Sequence, residues 1–461
     1  MKPLLFAPPA AFLLGSCMLG PPFKLPDVSG GTGWKETGDI SASRLPDDWW
    51  KLFRDSRLTT LVNRALVANN DLAAAKARVD TARALVGVDQ ARLFPSLDLA
   101  GAASVARSSG SGMNYPGVEL QQQHYRASFD LAYDPDLWGR NKRLLETSTA
   151  QAAAAQALFD SQRLGLATEV ARLYFAVRGL DEQDAVVTDT IRSRQEALDL
   201  QKTKADAGLT DGLATSSART ELELARNDLA VVERQRGSVE HALAVLCGTR
   251  PADFAVAVDV GPRALPNIKA ELPAAVLFRR PDVRAAEQQL RAANAQIGVA
   301  ETAFYPNFNL LGAAGLESFS SGDFLDWESR ILSLGVNAAM PILNLGANKA
   351  RLAAARSTYD EALATYRQTL LIALREVEYA LSDLKGYAKS RSALEAALAS
   401  ARDTRQLTQE RYDEGLTSYL DVVNADRTVL QTRLSLSKVD ALQRITLAAL
   451  AKALGGGWSG K

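Results

Sequence analysis

The chain is poor in the residues that hold metals or carry redox chemistry. Its 461 residues include two histidines, two cysteines and four methionines. His124 sits in a polar segment before a strand-like run and His241 in a helical run. Neither has a second His or a Cys at ligand spacing, so both read as structural, and no metal or cofactor is expected. Charge of one sign is also lacking. The 53 Lys and Arg balance 53 Asp and Glu, which argues against a nucleic-acid partner. There is no Gly-x-x-x-x-Gly-Lys-Ser/Thr loop and no catalytic constellation, so the chain is not expected to be an enzyme. The body of the chain has no apolar run of 18 residues, which excludes a membrane-spanning helix. It does not exclude a β-barrel, whose strands give a much weaker signal. At 47% hydrophobic and 23% charged residues, the composition is not that of a disordered chain.

The first residues read as an export signal. Lys2 precedes an apolar run that ends in Leu14-Gly15-Ser16-Cys17, the form of a bacterial lipobox. This predicts a signal peptide over 1–16, acylation of Cys17 and a lipidated extension over 17–55. The run is short and broken by Pro8 and Pro9, and the alternative is an ordinary cleaved signal with an incidental Cys. A multiply acylated Cys17 would anchor firmly, at ~0.8 kcal/mol per buried CH₂. Met18 stands where an Asp would favour inner-membrane retention, so the outer membrane is expected. The second cysteine, in Leu243-Ala244-Val245-Leu246-Cys247, reads as a buried thiol.

The chain is written twice. Residues 84–103 and 295–314 are identical at eight of twenty positions, at an offset of 211. Leu137-Trp138-Gly139-Arg140-Asn141-Lys142 answers Asn344-Leu345-Gly346-Ala347-Asn348-Lys349 at an offset of 207, and Gly208-Leu209-Thr210 answers Gly415-Leu416-Thr417 at the same offset. These matches define repeats over 56–248 and 276–455, a connector over 249–275 and a tail over 456–461.

Each repeat reads in the same order. A helical pattern over about 56–92 stops at Phe94-Pro95, since proline ends a helix and extends its predecessor. The period then changes to two, predicting strands at about 95–107 and 123–135, and in the second copy at about 306–317 and 329–341. One face of these runs is apolar and the other small or polar, and each is about ten residues long. That suits a transmembrane β-strand, with a pair of hairpins in a soluble sheet as the alternative. Proline-free helical runs follow, about 137–207 and 211–246, then about 345–414 and 419–454, with Gly208 and Gly415 as helix ends. A helix of ~70 residues would be ~105 Å long. Its partners must be helices of equal length. Four strands in one chain leave open edges, which lipid does not tolerate, so two, three or four chains would share one barrel.

Five further stretches stand out: Trp49-Trp50-Lys51-Leu52-Phe53-Arg54-Asp55-Ser56-Arg57-Leu58, Asn69-Asn70-Asp71-Leu72, Asp136-Leu137-Trp138-Gly139-Arg140, Arg280-Pro281-Asp282-Val283-Arg284-Ala285-Ala286-Glu287 and Phe304-Tyr305-Pro306. Together with the Gly-Leu-Thr turns they resemble, in order and over nearly the whole mature chain, the outer membrane factor (TolC-like) family, in its lipidated NodT-type branch of RND efflux lipoproteins. The resemblance implies a mainly α fold with a membrane β-barrel. Long antiparallel helical hairpins would form a trimeric α-barrel, four strands per chain would share a 12-stranded outer-membrane barrel, and an equatorial belt would surround the cylinder. It implies the exit duct of a tripartite efflux system, a homotrimer in outer-membrane lipid, with a periplasmic adaptor and an inner-membrane RND-type transporter as partners.

The resemblance also assigns residues. Leu420, Asp421 and Asn424 match positions that line the periplasmic gate. Asn424 stands where relatives carry a second acid, so any charged ring would come from Asp421 alone. Three clustered carboxylates would raise one another's pKa; the plainer role for Asp421 is a first-turn carboxylate favoured by the helix dipole. Tyr412 matches a latch tyrosine, but Thr417 replaces the arginine expected to accompany it. The turns Gly208-Leu209-Thr210 and Gly415-Leu416-Thr417 would dock the adaptor, or be plain helix corners. Two other readings are an adaptor-type lipoprotein, disfavoured by two hairpins and a whole-chain duplication, and a structural coiled-coil lipoprotein without membrane strands.

Overall fold

A computed structural model describes residues 18–27, 33–36, 45–107, 121–209, 211–261, 265–266, 268 and 279–457. Cys17 and Thr210, and most of the connector after 261, lie outside these residues. In chain order the elements are α1 (Ser56–Ala68), α2 (Asn70–Ala91), β1 (Ser96–Arg107), β2 (Gln121–Tyr133), α3 (Arg140–Asp206), α4 (Gly212–Leu246), α5 (Pro281–Thr302), β3 (Asn307–Ser318), β4 (Arg330–Ala339), α6 (Ala347–Asp413) and α7 (Tyr419–Ala453). The long helices α3 and α6 have 67 residues each, about 100 Å at 1.5 Å per residue. None of the described helices is long and apolar enough to cross a membrane.

The expected single helix over 56–92 is two. Asn69 leaves the helical region (ψ 124°), its Oδ1 accepts the Leu72 N–H at 2.9 Å, and its Nδ2 donates to the Leu246 carbonyl at 3.1 Å. An Asn side chain competes well with the helix ladder for backbone groups, so it ends α1 and caps α2 in one step. The second strand also begins two residues earlier than expected, at Gln121.

The contacts divide the chain into two compact units. One, built from 78–155 and 286–366 with the described residues before Asp27, holds the sheet. Its four strands are antiparallel in the order β1-β2-β3-β4, so β1 and β4 are edges. The register aligns the alternation across all four. Leu99, Phe129, Ala314 and Leu332 fall in one row, and Leu97, Leu131, Gly312 and Leu334 in the next, all on one face. That face is bare: Leu332 is 87% and Leu334 83% exposed. The other face is polar. His124 Nε2 lies 2.8 Å from Glu317 Oε1, and Arg126 bonds Ser128 and Asp130. Gly315 lets β3 close on β2, since a Cβ there would strike Ala127 O and Ser128.

The other unit, 27–77, 156–285 and 367–461, is helical. Its core gathers Trp49, Trp50 and Phe53 from a short 3₁₀ turn, Leu58 and Val62 from α1, Tyr174 and Phe175 from α3, Leu243 from α4 and Leu450 from α7. Asp55 joins them, capping α1 through Arg57 and Leu58 N–H and accepting the Tyr174 hydroxyl at 2.6 Å. Cys247 is buried in the same core, and burial pushes its thiol pKa up, as befits an inert packing residue. Arg280 ties helix ends together, pairing with Asp282 (2.6 Å) and Glu376 (2.7 Å) and donating to the Ala453 carbonyl (3.1 Å). Burial works against the charges of Arg280 and Asp282. Their mutual pairing outweighs it, raising the Arg280 pKa and lowering that of Asp282.

Candidate functional site

The two long hairpins end in matching turns. At the first, Gly208 (φ 71°) follows α3 and the Leu209 N–H reaches back to Lys204 O at 2.8 Å. At the second, Gly415 (φ 74°) follows α6 and the Leu416 N–H reaches Arg411 O at 2.8 Å. Both are Schellman-type closures, which need a left-handed residue that only glycine adopts without strain. Leu209, Leu213, Leu416 and Leu420 all project from the tips into solvent.

The entries into the return helices differ. Asp211 caps α4 by accepting from Leu213 and Ala214 N–H. Its repeat equivalent is Ser418, and the carboxylate has moved to Asp421, three residues on. Asp421 Oδ2 accepts from the Thr417 hydroxyl (2.6 Å), the Ser418 hydroxyl (2.7 Å) and the Ser418 N–H (3.1 Å), forming a capping box. The Thr417 bond, then those of Ser418, hold the Asp421 carboxyl below the usual carboxylate range. Thr417, where an arginine was expected, is thus a partner of Asp421. Leu420, Asp421 and Asn424 lie on the exposed side of the first turns of α7, and Val422, Val423 and Ala425 on the buried side.

A folded-state pKa below the unfolded value means that the Asp421 cap is fully present above the ordinary carboxylate range. It is lost as pH falls through the depressed value. The protection of the Val422 and Val423 amides, taken relative to their intrinsic exchange rate at each pH, will therefore be flat around neutral pH and fall only in strong acid. Asp421→Ala will lower that protection at neutral pH; equal protection in variant and wild type would refute the capping role.

Tyr412 joins the hairpins. Its hydroxyl donates to Gln201 Oε1 at 3.1 Å, Lys204 Nζ stands 4.7 Å from its ring centroid, and the Tyr419 ring lies 5.6 Å away. Burial above all, with Asp426 nearby, pushes the Tyr419 hydroxyl up to about 12. A buried carboxylate forms the next link. Glu221 on α4 is buried and pairs with Arg194 of α3 (3.1 Å) and with Arg427 of α7. Arg433 on α7 meets Asp189 of α3 at 3.1 Å. The hairpin-to-hairpin seam behind the tips therefore carries buried charge, beside an apolar contact in which Tyr419 of α7 packs on Leu198, Ala218 and Leu222 of the first hairpin. No signal in the sequence marks Glu221, because a mid-helix glutamate looks like part of a solvated face. Among the described residues no group of three His, Cys, Asp or Glu could hold a metal.

The sequence matches the family described as outer membrane efflux protein over residues 61–249 and 272–456. It is 32% identical to the solvent efflux pump outer membrane protein SrpC of Pseudomonas putida, covering 98% of this chain and 97% of that protein. It is 29% identical to the cation efflux system protein CusC of Escherichia coli, covering 97% of each. The fold is similar to that of the outer-membrane channel OprN, with a TM-score of 0.88 at 30% identity, over 96% of this chain and 100% of that one.

Proposed function

We propose, from the premise that the chain belongs to the outer membrane efflux protein family, that it is the outer-membrane exit duct of an efflux pump. The family is one of channels, not enzymes, and its members are outer-membrane proteins. One observation carries the finer reading. Among the described residues the sheet has two unpaired edges and a bare apolar face, with polar side chains on the other face. In lipid such a sheet needs closure, and several copies supply it. Three copies give a homotrimer with a 12-stranded barrel and a helical tunnel formed by the hairpins of α3/α4 and α6/α7, within the even strand numbers of bacterial barrels. The unpaired edges favour this over an adaptor or a purely structural coiled-coil lipoprotein.

The duct is passive. The repeats over 56–248 and 276–455 build it, and the connector over 249–275 contributes an equatorial belt. Leu420, Asp421 and Asn424, with Tyr412 behind them, form the periplasmic gate. The exposed leucines of the turns at Gly208-Leu209-Thr210 and Gly415-Leu416-Thr417 meet a periplasmic adaptor, behind which stands an inner-membrane RND-type transporter. The cargo is set by the transporter, in keeping with relatives named for solvents and for cations.

Electron microscopy of the detergent-extracted protein tests the duct. Long hollow side views with three-fold end views around a central hole are expected, and short or solid particles would overturn the reading. Anchoring through an acylated Cys17 is a separate part of the proposal. Cys17→Ala should leave a heat-resistant oligomer in outer membranes, because the barrel holds without the lipid. Recovery of that variant only as soluble monomer would refute the barrel.

A further inference from the structure

Charge is sorted on the bare face of the sheet. On β1 that face runs from Leu97 through Val105 and ends in Arg107; on β4 it runs from Val336 through Leu332 and ends in Arg330. Among the described strand residues these two arginines are the only charged side chains on that face. The strand acids, Asp98, Asp130 and Glu317, all lie on the opposite face.

Both arginines also stand at one end of the sheet. The helices α2, α3, α5 and α6 all join the strands at the other end, and only the connections from β1 to β2 and from β3 to β4 leave from the arginine end. With the helices in the periplasm, the arginines meet the outer leaflet. Neither has a carboxylate partner among the described residues, although Asp323, Asp326 and Glu328 come just before β4. Arg330 is held instead over Trp327, its guanidinium carbon 3.0 Å from the ring centroid. Such stacking uses the flat face of the guanidinium and leaves its N–H edge free to donate. Trp327 itself is 72% exposed. A tryptophan beside a cation at the end of an apolar face suits the membrane–water boundary. An arginine on a lipid-facing strand is costly at mid-membrane and tolerated at the headgroups.

We propose that Arg107 and Arg330 form a phosphate-binding rim, and that its ligand is the phosphorylated glycolipid of the outer leaflet. This rests on the outer-membrane duct reading and goes beyond it by naming a lipid partner. Charge complementarity carries it. A headgroup phosphate offers oxygens at the depth where the fatty chains end, and a guanidinium can donate two parallel N–H bonds to it. The fatty chains would then lie along the exposed Val105, Leu332 and Leu334. The carboxylates that would repel the phosphate are kept to the other face.

Native mass spectrometry of the detergent-extracted oligomer tests the rim, with purified lipid A, lipid A stripped of its phosphates and phosphatidylglycerol as probes. The wild type should retain lipid A over both others. A basic residue at an anionic lipid surface contributes about fivefold, so Arg107→Gln with Arg330→Gln should bind lipid A about thirtyfold more weakly. Arg107→Lys with Arg330→Lys keeps the charges and should stay near wild type, which separates lost charge from a damaged barrel. Arg126→Gln removes an arginine from the opposite face and should change nothing; a loss as large as that of the double Gln variant would overturn the assignment. Equal retention of stripped lipid A would mean apolar contact alone and would also overturn it. A preference for phosphatidylglycerol would put the arginines at the inner leaflet, against the proposal. If hollow oligomers form but do not distinguish the three lipids, the rim falls and the duct stands. If the wild type yields only monomers, the duct reading falls and takes the rim with it.

Discussion

Alanine at Glu221 will loosen the seam between the hairpins by about 3 kcal/mol, because breaking a buried ion pair from one side strands the other charge. The stranded charge is Arg194. Its side chain is 10% exposed, and it keeps only its 2.6 Å bond to the Glu221 carbonyl, which a backbone dipole cannot make equivalent to a carboxylate. The other partner, Arg427, is half exposed and can turn to water. Arg427→Ala should therefore cost only about 1 kcal/mol or less, in the range of exposed pairs. The two variants together separate a seam held by buried charge from one held by surface pairing. Limited proteolysis near residues 190–225 reads the difference. Cleavage should accelerate strongly in Glu221→Ala and slightly in Arg427→Ala; equal protection in Glu221→Ala and wild type would refute the seam. Tyr412 and its bond to Gln201 remain in both variants, so the tip turns should stay closed on themselves.

Trp49→Ala will destabilise the helical unit by about 3–5 kcal/mol, the usual range for deleting a buried aromatic. Trp49 is fully buried and lies edge-on to Trp50 and Phe53, with ring centroids 5.9 and 6.3 Å away. Its Nε1–H meets no acceptor among the described residues, so the indole serves as volume and apolar area. Trp49→Phe keeps much of that area and removes the unsatisfied donor, and should cost only about 1–2 kcal/mol. Guanidinium unfolding followed by helical circular dichroism checks both. A Phe variant as damaged as the Ala variant would mean that the indole nitrogen is bonded after all. This cluster also shows why Trp49-Trp50 stands out in the sequence: two adjacent tryptophans in a 3₁₀ turn put aromatic volume on α1 and α3 at once.

Much of the architecture was legible in the order of residues. The duplication is a statement about identity at fixed offsets and needs no folding. Long proline-free stretches rich in Ala, Leu, Glu and Arg can do little but form helix. The switch to period two after Phe94-Pro95 and Tyr305-Pro306 is a local consequence of proline and of the pleat. The turns at Gly208 and Gly415 were legible for the same reason, since a left-handed residue after a helix is a local need. The assignment of Leu420, Asp421 and Asn424 to a gate came only through the family resemblance.

Other features were hidden because they depend on contacts across the fold. The break at Asn69 needs the Leu246 carbonyl, 177 residues away, to hold the side chain. Glu221 becomes a buried anchor only where α3, α4 and α7 converge, and Asp421 has its cap only because Thr417 and Ser418 turn their hydroxyls onto it. The repeats alone made the two strand-to-helix junctions look alike. Tertiary structure decided that Trp138 lies half-buried against Tyr305, with its Nε1–H on Pro306 O, and that its repeat equivalent Leu345 is bare. By itself the sequence determined which elements form and that they come in two copies, because propensity, period and proline act over a few residues. Folding decided which copies of each surface are satisfied within the chain, because burial and pairing depend on what the topology brings near.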